Sequence, residues 1–427
     1  MRPSPLLHFL VFALVLLLPV DSTAQPNLSR PFFTVYYPTW AMRPLGQVPE
    51  ALPPWEIDWR GITHVVHFHV PVRSQTAPYF GPVVSANDSI EVEFNGLGNP
   101  GAGPSTWIHW QDSLITIAHR HGVKVVLSID AVNPTEWNIV TADSAKTVAL
   151  ARSAVEYCIR KGYDGLEINV ETWTGTPVIN ADLNRAMRIF RRELNKMSPR
   201  GLLLNSASRT HATLYEASQD STVDQFLLQC YSYANVWNPT VGSNSVWHLT
   251  PLHRGAACPG SEAQALSDST GIGNGGGPKA WIAAGHDPKK ISVGIASFGY
   301  VYKGQKELCV SSGSNPPGYA KYQDCIGLLA NGGTEFWDDA CKVPYITGTA
   351  KFDDGPDWWG KFGVKAGRDF FATYENQRSV EEKISWIKSA GLGGIMVYDL
   401  TMDLDASKPI NQRNAIHAWV AQALRLR

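Results

Sequence analysis

The residues best suited to chemistry stand in one short stretch, Tyr163-Asp164-Gly165-Leu166-Glu167-Ile168-Asn169-Val170-Glu171. Apolar Leu166, Ile168 and Val170 alternate there with polar Glu167, Asn169 and Glu171. Period-two alternation marks a strand, and residues two apart share a face. Two carboxyls with an amide between them therefore form a row, and carboxyls carry general acid–base work. On a half-buried antiparallel strand the row faces water. In a closed parallel barrel it points inward, and Glu171 reaches the mouth. Burying such a row without use is costly, so the surrounding elements decide between a solvated face and an active site.

Eight short apolar runs can be picked out, at 32–37, 62–70, 123–129, 164–170, 201–206, 225–231, 291–297 and 394–399. Helical patterns lie between them at 106–121, 141–161, 180–197, 278–285 and 379–390, with a last one near 411–425. The run at 141–161 stops at Gly162, just before the polar row. Strands alternating with helices predict a parallel sheet with crossover helices, and eight such units predict a (β/α)8 TIM barrel. An open doubly wound sheet is the alternative, but its phosphate loop is missing: the glycine run at 271–277 follows no strand. The stretch between the seventh and eighth runs is too long for one crossover. It holds Cys309, Cys325 and Cys341 and a section rich in Trp, Asp and Gly around Trp337, Trp358 and Trp359. Residues 303–370 read as a small inserted subdomain, at the catalytic end of the barrel where it can wall a cleft.

Arg2, an apolar run from Leu6 to Val20 and small Ser22-Thr23-Ala24 form a secretory signal pattern. The run is short for a membrane span. Residues 1–24 are therefore set aside as a signal peptide, the barrel domain is 25–427, and a secreted or periplasmic protein is expected. The formal net charge of −1, without long charge runs, points to neither nucleic acid nor a membrane surface. A monomer is expected. Aromatic content is high, with 15 Trp, 15 Tyr and 15 Phe, and many Trp stand beside Gly, Pro or Asn. Tryptophan in loops suits stacking on flat ligands such as sugar rings, although ordinary packing claims many of them.

Of the six cysteines, Cys158 and Cys230 read as buried thiols in regular elements. Cys258, Cys309, Cys325 and Cys341 lie in loop-like sequence, and one or two disulfides among them suit an exported protein. Spacing alone leaves the pairing open. Asn27 and Asn87 head Asn-x-Ser sequons.

Taken in order, these pieces resemble the family 18 glycoside hydrolases, which include chitinases. Phe33-Thr34-Val35-Tyr36-Tyr37-Pro38-Thr39-Trp40-Ala41 is similar to that family's first strand, and Ile62-Thr63-His64-Val65-Val66 to its second. Residues 163–171 resemble its signature, Asp-Gly-x-Asp-x-Asp-x-Glu. Val293-Gly294-Ile295 through Phe298-Gly299-Tyr300 resembles the seventh strand. Tyr374-Glu375-Asn376-Gln377-Arg378-Ser379, Lys383 and Gly391-Leu392-Gly393-Gly394-Ile395-Met396-Val397-Tyr398 resemble the closing segment. The resemblance implies a (β/α)8 barrel with an α+β insertion between strands seven and eight.

It also implies substrate-assisted chemistry, in which the sugar's own 2-acetamido oxygen attacks the anomeric carbon and gives an oxazolinium. Carried over by position, Glu171 is the general acid, Asn169 stands for the acetamido-orienting Asp, and Asp164 opens the motif. Tyr231 in Gln229-Cys230-Tyr231 matches the sixth-strand tyrosine. Tyr37, Trp40, Trp137, Trp173, Trp237 and Tyr398 are candidate sugar platforms, and His67 and His69 candidate substrate contacts. The implied substrate is a polysaccharide or oligosaccharide of β-1,4-linked N-acetylglucosamine, with no cofactor.

Several positions depart from the family pattern. Glu167 and Asn169 replace Asp, Asp130-Ala131 replace the usual Gly-Gly after strand three, and Ser232 replaces an Asp. Tyr398 stands where a Trp floors the central subsite, and His67 and His69 replace aromatic residues. The Asn169 carbonyl can still accept the acetamido N–H, but a neutral amide cannot offset the oxazolinium's charge. Losing such a preorganised charge costs about 3 kcal/mol, a hundredfold in rate. Glu167 could restore part of it. Asn169-Val170-Glu171 is also similar to the Asn-x-Glu pair of the family 85 endo-β-N-acetylglucosaminidases. Four readings stay open: a chitin-cleaving enzyme, an inactive lectin-like binder, an enzyme acting on N-glycan cores, and a metal hydrolase. The last rests on His67-x-His69 with Asp130, a set that lacks an identifiable third or fourth ligand, so no metal is expected.

Overall fold

The computed structural model describes residues 31–42, 45, 50–71, 110–131, 134–170, 179–198, 201–208, 214–233, 246–255, 265–267, 277–310, 317–353 and 364–424. Glu171, Trp173 and Trp237 lie outside the described residues, as do the signal segment, both sequons, Cys258, Trp358 and Trp359.

Eight parallel strands close into a barrel: β1 (Phe32–Pro38), β2 (His64–Pro71), β3 (Lys124–Ala131), β4 (Gly165–Val170), β5 (Leu203–Ser208), β6 (Gln225–Leu228), β7 (Ile291–Ala296) and, after an excursion, β13 (Gly394–Tyr398). Between β7 and β13 the chain builds a five-stranded antiparallel sheet from β8 (Phe298–Lys303), β9 (Gly318–Lys321), β10 (Gly333–Asp338), β11 (Val343–Thr349) and β12 (Asp369–Thr373), in the order β10-β11-β12-β8-β9. The fold is the expected TIM barrel with an α+β insertion between its seventh and eighth strands.

The crossover helices are α1 (Gln111–Arg120), α2 (Pro134–Thr141), α3 (Ser144–Lys161), α4 (Asn180–Met197), α5 (Pro278–Ala283), α7 (Gln377–Ser389) and α8 (Ala415–Leu424), while α6 (Tyr322–Ala330) belongs to the insertion. Helix α3 shows how local sequence aims the polar row. The Asp143 side chain caps its start by accepting from the Ala145 N–H at 2.8 Å. At its end Gly162 takes a left-handed φ of 88°, which turns the chain back into the sheet. Strand β4 follows with Leu166, Ile168 and Val170 packed against the helical layer. The same alternation turns Glu167 and Asn169 inward, both fully buried. Gly165 is obligatory at the strand's start, because an added Cβ would lie 2.2 Å from the Leu203 carbonyl oxygen of β5.

Three apolar clusters hold these parts together. The largest fills the space between strands and helices. A small one lines the barrel interior with Tyr36, Val66, Phe68, Val126, Ala207, Leu227 and Met396. The third joins the barrel mouth to the inserted sheet through Trp247, Phe298, Tyr300, Tyr302 and Phe371, with Tyr231 and Tyr398 at its edge. Among the described residues no helix is long and apolar enough to cross a membrane.

A fully buried ion pair anchors the insertion to the barrel. Lys383 on α7 meets Glu375 at 2.8 Å, and Glu375 also accepts the hydroxyls of Thr250 and Ser379. Burial pulls the Lys383 pKa down, and Glu375 opposes that shift. Removing one partner strands a buried charge. We expect Lys383→Met to cost about 3–5 kcal/mol in thermal or denaturant unfolding. Lys383→Met with Glu375→Gln should cost less than the single change.

Candidate active site at the barrel mouth

The inward positions of β3, β4, β5 and β6 stack in register. Ser128, Glu167, Asn205 and Gln225 form one polar level across the four strands. Asp130, Asn169 and Ala207 form the next level towards the mouth. In the lower level the Tyr36 hydroxyl donates to the Glu167 carboxylate at 3.1 Å. On the far side, Thr34 donates to Gln225, and Gln225 to Ser292. Neither amide atom of Asn205 finds a hydrogen-bond partner among the described residues, although the side chain is buried. This is the expensive arrangement for a packed interior and the useful one for binding polar groups.

Aromatic rings surround the opening. Tyr398, half-buried at the end of β13, lies 5.4 Å from Tyr36, 5.8 Å from Phe68 and 6.0 Å from Tyr231, ring centre to ring centre. Trp40 packs edge-on against Phe68 at 6.0 Å and is also half-buried. Gly294 lets Tyr231 approach, since a Cβ there would lie 2.9 Å from the Tyr231 ring. The next residue, Ser232, adopts a left-handed φ of 62° and shares a 2.7 Å hydrogen bond with the Tyr300 hydroxyl. The turn that presents Tyr231 is thus fixed from below. Glu167, Asn169, Tyr231, Trp40 and Tyr398 are brought to the interior and mouth of one barrel.

Other expected members sit elsewhere. Tyr37 faces the helical layer, and its hydroxyl donates to the Leu52 carbonyl at 2.7 Å. Trp137 on α2 is wholly buried there too, and its indole N–H donates to the backbone carbonyl of Asn169 at 2.9 Å. It braces the strand and offers no face to a sugar. Asp164 precedes β4 at the closed end of the barrel, about 16 Å along the strand from Asn169. It accepts from the Val125 N–H at 2.8 Å, from Lys124 at 2.9 Å, and bonds His119 at 2.8 Å. Burial pushes its pKa up, but these three bonds outweigh it and hold the carboxyl below the ordinary range. Its work is to join β3 to β4.

His67 and His69 do not share a face. The register of β2 against β3 slips between His67 and Val70. Such a bulge puts one extra residue into the strand and breaks the alternation. His67 turns outward, 2.7 Å from the Tyr163 hydroxyl. His69 turns to Asp130, its Nε2 3.9 Å from the carboxylate. Burial drives the His69 imidazole down to about 4. The His-x-His metal set is thereby split between two sides of the strand.

A second cluster, His248, Asp338 and Cys341, has ligand-type atoms within 4.8 Å of one another. Its carboxylate is already committed. One oxygen meets His248 at 3.0 Å, and the other accepts the N–H of Ala340 at 3.0 Å and of Cys341 at 2.9 Å. The cluster reads as a brace between the loop after β6 and the β10–β11 turn. Cys158, Cys230, Cys325 and Cys341 are free thiols, while Cys309 is disulfide-bonded. Cys325 and Cys341 are therefore removed from the expected disulfide set.

Tyr36, Ser128 and Asn205 join Glu167 in the site although no motif marks them. Tyr36 shares the inward register of Thr34 and was detectable from alternation alone. Asp399 follows Tyr398 and is fully buried. One of its oxygens accepts from the Thr401 N–H at 2.7 Å and hydroxyl at 2.6 Å, and the other has no partner among the described residues.

Residues 33–403 match the Glycosyl hydrolases family 18. The chain belongs to that family. A probable endochitinase of Caenorhabditis elegans is 24% identical over 283 residues, 62% of this chain but 41% of that protein. The chain thus spans about two-fifths of that relative's length. The Group IV chitinase of Ostrinia furnacalis superposes with a TM-score of 0.68 at 16% identity, covering 92% of this chain and all of that one. Human YKL-39, a pseudo-chitinase with retained chitooligosaccharide binding, superposes with a TM-score of 0.67 at 15% identity, covering 92% of this family 18 chain and all of YKL-39. At such identities the superpositions speak to the fold.

Burial raises the Asp399 carboxyl to about 6, against the lowering effect of its Thr401 bonds. The sign follows from linkage: a carboxyl whose folded pKa lies above its unfolded value favours the folded state when protonated. Its ionisation therefore erodes stability as pH rises from about 4 through about 6. We expect Asp399→Asn to reduce the loss of stability over that window by about 2–3 kcal/mol in denaturant unfolding at pH 4 and pH 7. Asp403, raised by burial to about 7, contributes in the same direction and is untouched by this substitution.

Proposed function

We propose that this family 18 chain is an exported glycosidase that cleaves β-1,4-linked N-acetylglucosamine polymers by substrate-assisted, retaining catalysis. The observation that carries the reading is the pair Glu167 and Asn169, buried side by side inside the barrel beneath an aromatic mouth. A polar row of this kind is retained at a cost, and a sugar carrying an acetamido group supplies partners for it.

Each group has a part in the proposed reaction. Glu171 protonates the glycosidic oxygen, and the C1–O bond breaks with its electron pair on that oxygen. The acetamido carbonyl oxygen attacks C1 from the opposite side. The Asn169 carbonyl accepts the acetamido N–H and holds the group in line. Tyr231 contacts the same group from across the barrel, and Tyr398 underlies the sugar ring, with Trp40 on the flank. Glu167, steadied by Tyr36, keeps a carboxylate one level below. Water then opens the oxazolinium, with Glu171 taking its proton.

A second reading is supported by one specific residue. Asn169 is neutral, and a site that orients the acetamido group without stabilising its charge binds chitooligosaccharides and turns them over poorly.

Mass spectrometry of chitotetraose and chitohexaose digests, with calorimetric binding, separates the two. The enzyme reading expects cleavage with initial release of the β-anomer. It expects Glu171→Gln to lower kcat at least about a hundredfold, the lower bound for a general acid, while chitohexaose binding stays within about threefold. Binding without cleavage by the wild type would establish the lectin-like reading. Full turnover by Glu171→Gln would overturn the assignment of the acid.

A further inference from the structure

We propose that Asp130 supplies the negative charge that Asn169 lacks, so that the carboxylate stabilising the oxazolinium has moved from β4 to the neighbouring strand β3. The inference rests on the glycosidase reading and names a further residue of its site.

Two departures from the family pattern that are far apart in the sequence meet in the fold. Asp130 stands where glycine is usual, and Asn169 stands where aspartate is usual. In the parallel ladder Asp130 is the direct register partner of Asn169. Leu127 and Ile129 of β3 pack into the outer core, whereas Val126 lies in the interior cluster. The alternation therefore turns Ser128 and Asp130 to the side where Glu167 and Asn169 point. Adjacent strands are about 4.8 Å apart, so the two side chains start from neighbouring positions on one level.

The surroundings suit a carboxylate that acts on a cation. Asp130 is 1% exposed, so water does little to screen its charge. Among the described residues, those facing it from the packed strands include His69 of β2 and Glu167 and Asn169 of β4. Asn169 is uncharged, and His69, with its pKa lowered to about 4, brings no positive charge at neutral pH. The division of labour follows. Asn169 accepts the acetamido N–H and sets the geometry. When Glu171 delivers its proton and the C1–O bond breaks, positive charge spreads over the acetamido N–C–O unit. Asp130 faces that charge from the next strand. Restoring aspartate at 169 with Asp130 in place would set two carboxylates side by side, which raises the pKa of one of them. Loss at one position and gain at the other thus fit together.

The test is a two-residue cycle on the full chain: wild type, Asp130→Asn, Asn169→Asp, and both changes together. Turnover of chitotetraose is read as kcat and KM. Calorimetry reads binding of neutral chitotetraose and of allosamidin, whose aminooxazoline carries positive charge when protonated. We expect Asp130→Asn to lower kcat about a hundredfold with KM within threefold, and Asn169→Asp added to it to return kcat to within tenfold of wild type. Allosamidin affinity should fall at least tenfold more than chitotetraose affinity in Asp130→Asn, and recover in the double variant. Unchanged kcat and allosamidin affinity in Asp130→Asn, or a double variant no better than the single, would overturn the inference. A merely structural Asp130 gives no rescue from position 169. If the wild type binds chitotetraose without cleaving it, the allosamidin comparison alone decides. If the wild type neither binds nor cleaves chitotetraose, the glycosidase reading itself falls, and the inference with it.

Discussion

Closure of the parallel barrel is the constraint on which the rest depends. A strand with polar residues on one face is at ease when that face meets water. Once eight strands close, the polar face of β4 has nowhere to go but inward. Glu167 and Asn169 are then buried, and their neighbours must meet them with polar groups of their own: Tyr36, Ser128, Asn205 and Asp130. Apolar Leu166, Ile168 and Val170 hold the strand to the helical layer and make the burial stable. The interior can therefore tolerate a polar level that an ordinary core would reject.

The insertion extends the same logic to the mouth. Its sheet supplies Phe298, Tyr300, Tyr302 and Phe371 to an apolar cluster that ends at Tyr231 and Tyr398. The His248–Asp338 bond, the Leu249 N–H bond to Thr373 and the Thr250 hydroxyl bond to Glu375, itself paired with Lys383, fasten the loop after β6 to that sheet. That loop follows Tyr231. Charges far from the polar row thus contribute to where the tyrosine stands. Inside the barrel, carboxyls are placed sparingly: Glu167 on one level of β4 and Asp130 on the next level of β3, with neutral Asn169 beside Asp130.

Much of this was legible in the residues because apolar alternation reports which side of a strand faces the core. All eight barrel strands lie where the apolar runs fall, and the long stretch between the seventh and eighth runs pointed to the inserted sheet. The inward aim of Glu167 and Asn169 follows from the same counting. What failed, failed for local reasons. Period two puts His67 and His69 on one face, and the slip in β2 breaks that period between them. Residue type groups Tyr37 and Trp137 with the sugar platforms but says nothing of side. Tyr37 alternates with Tyr36 and falls in step with Phe33 and Val35, so its outward aim was readable. Asp164 opens the motif but precedes the strand, where backbone N–H and lysine partners claim it. The meeting of Asp130 with Asn169 needs strand register, which no local pattern carries.

The most direct test of the account is a crystal structure of Glu171→Gln soaked with chitotetraose. One sugar ring should lie over Tyr398, with its acetamido group turned down into the barrel. The acetamido nitrogen should lie about 3 Å from the Asn169 side-chain oxygen, with Asp130 facing the same group. A sugar chain bound on the outer surface, or across the mouth with its acetamido groups turned away from Asn169 and Asp130, would contradict it.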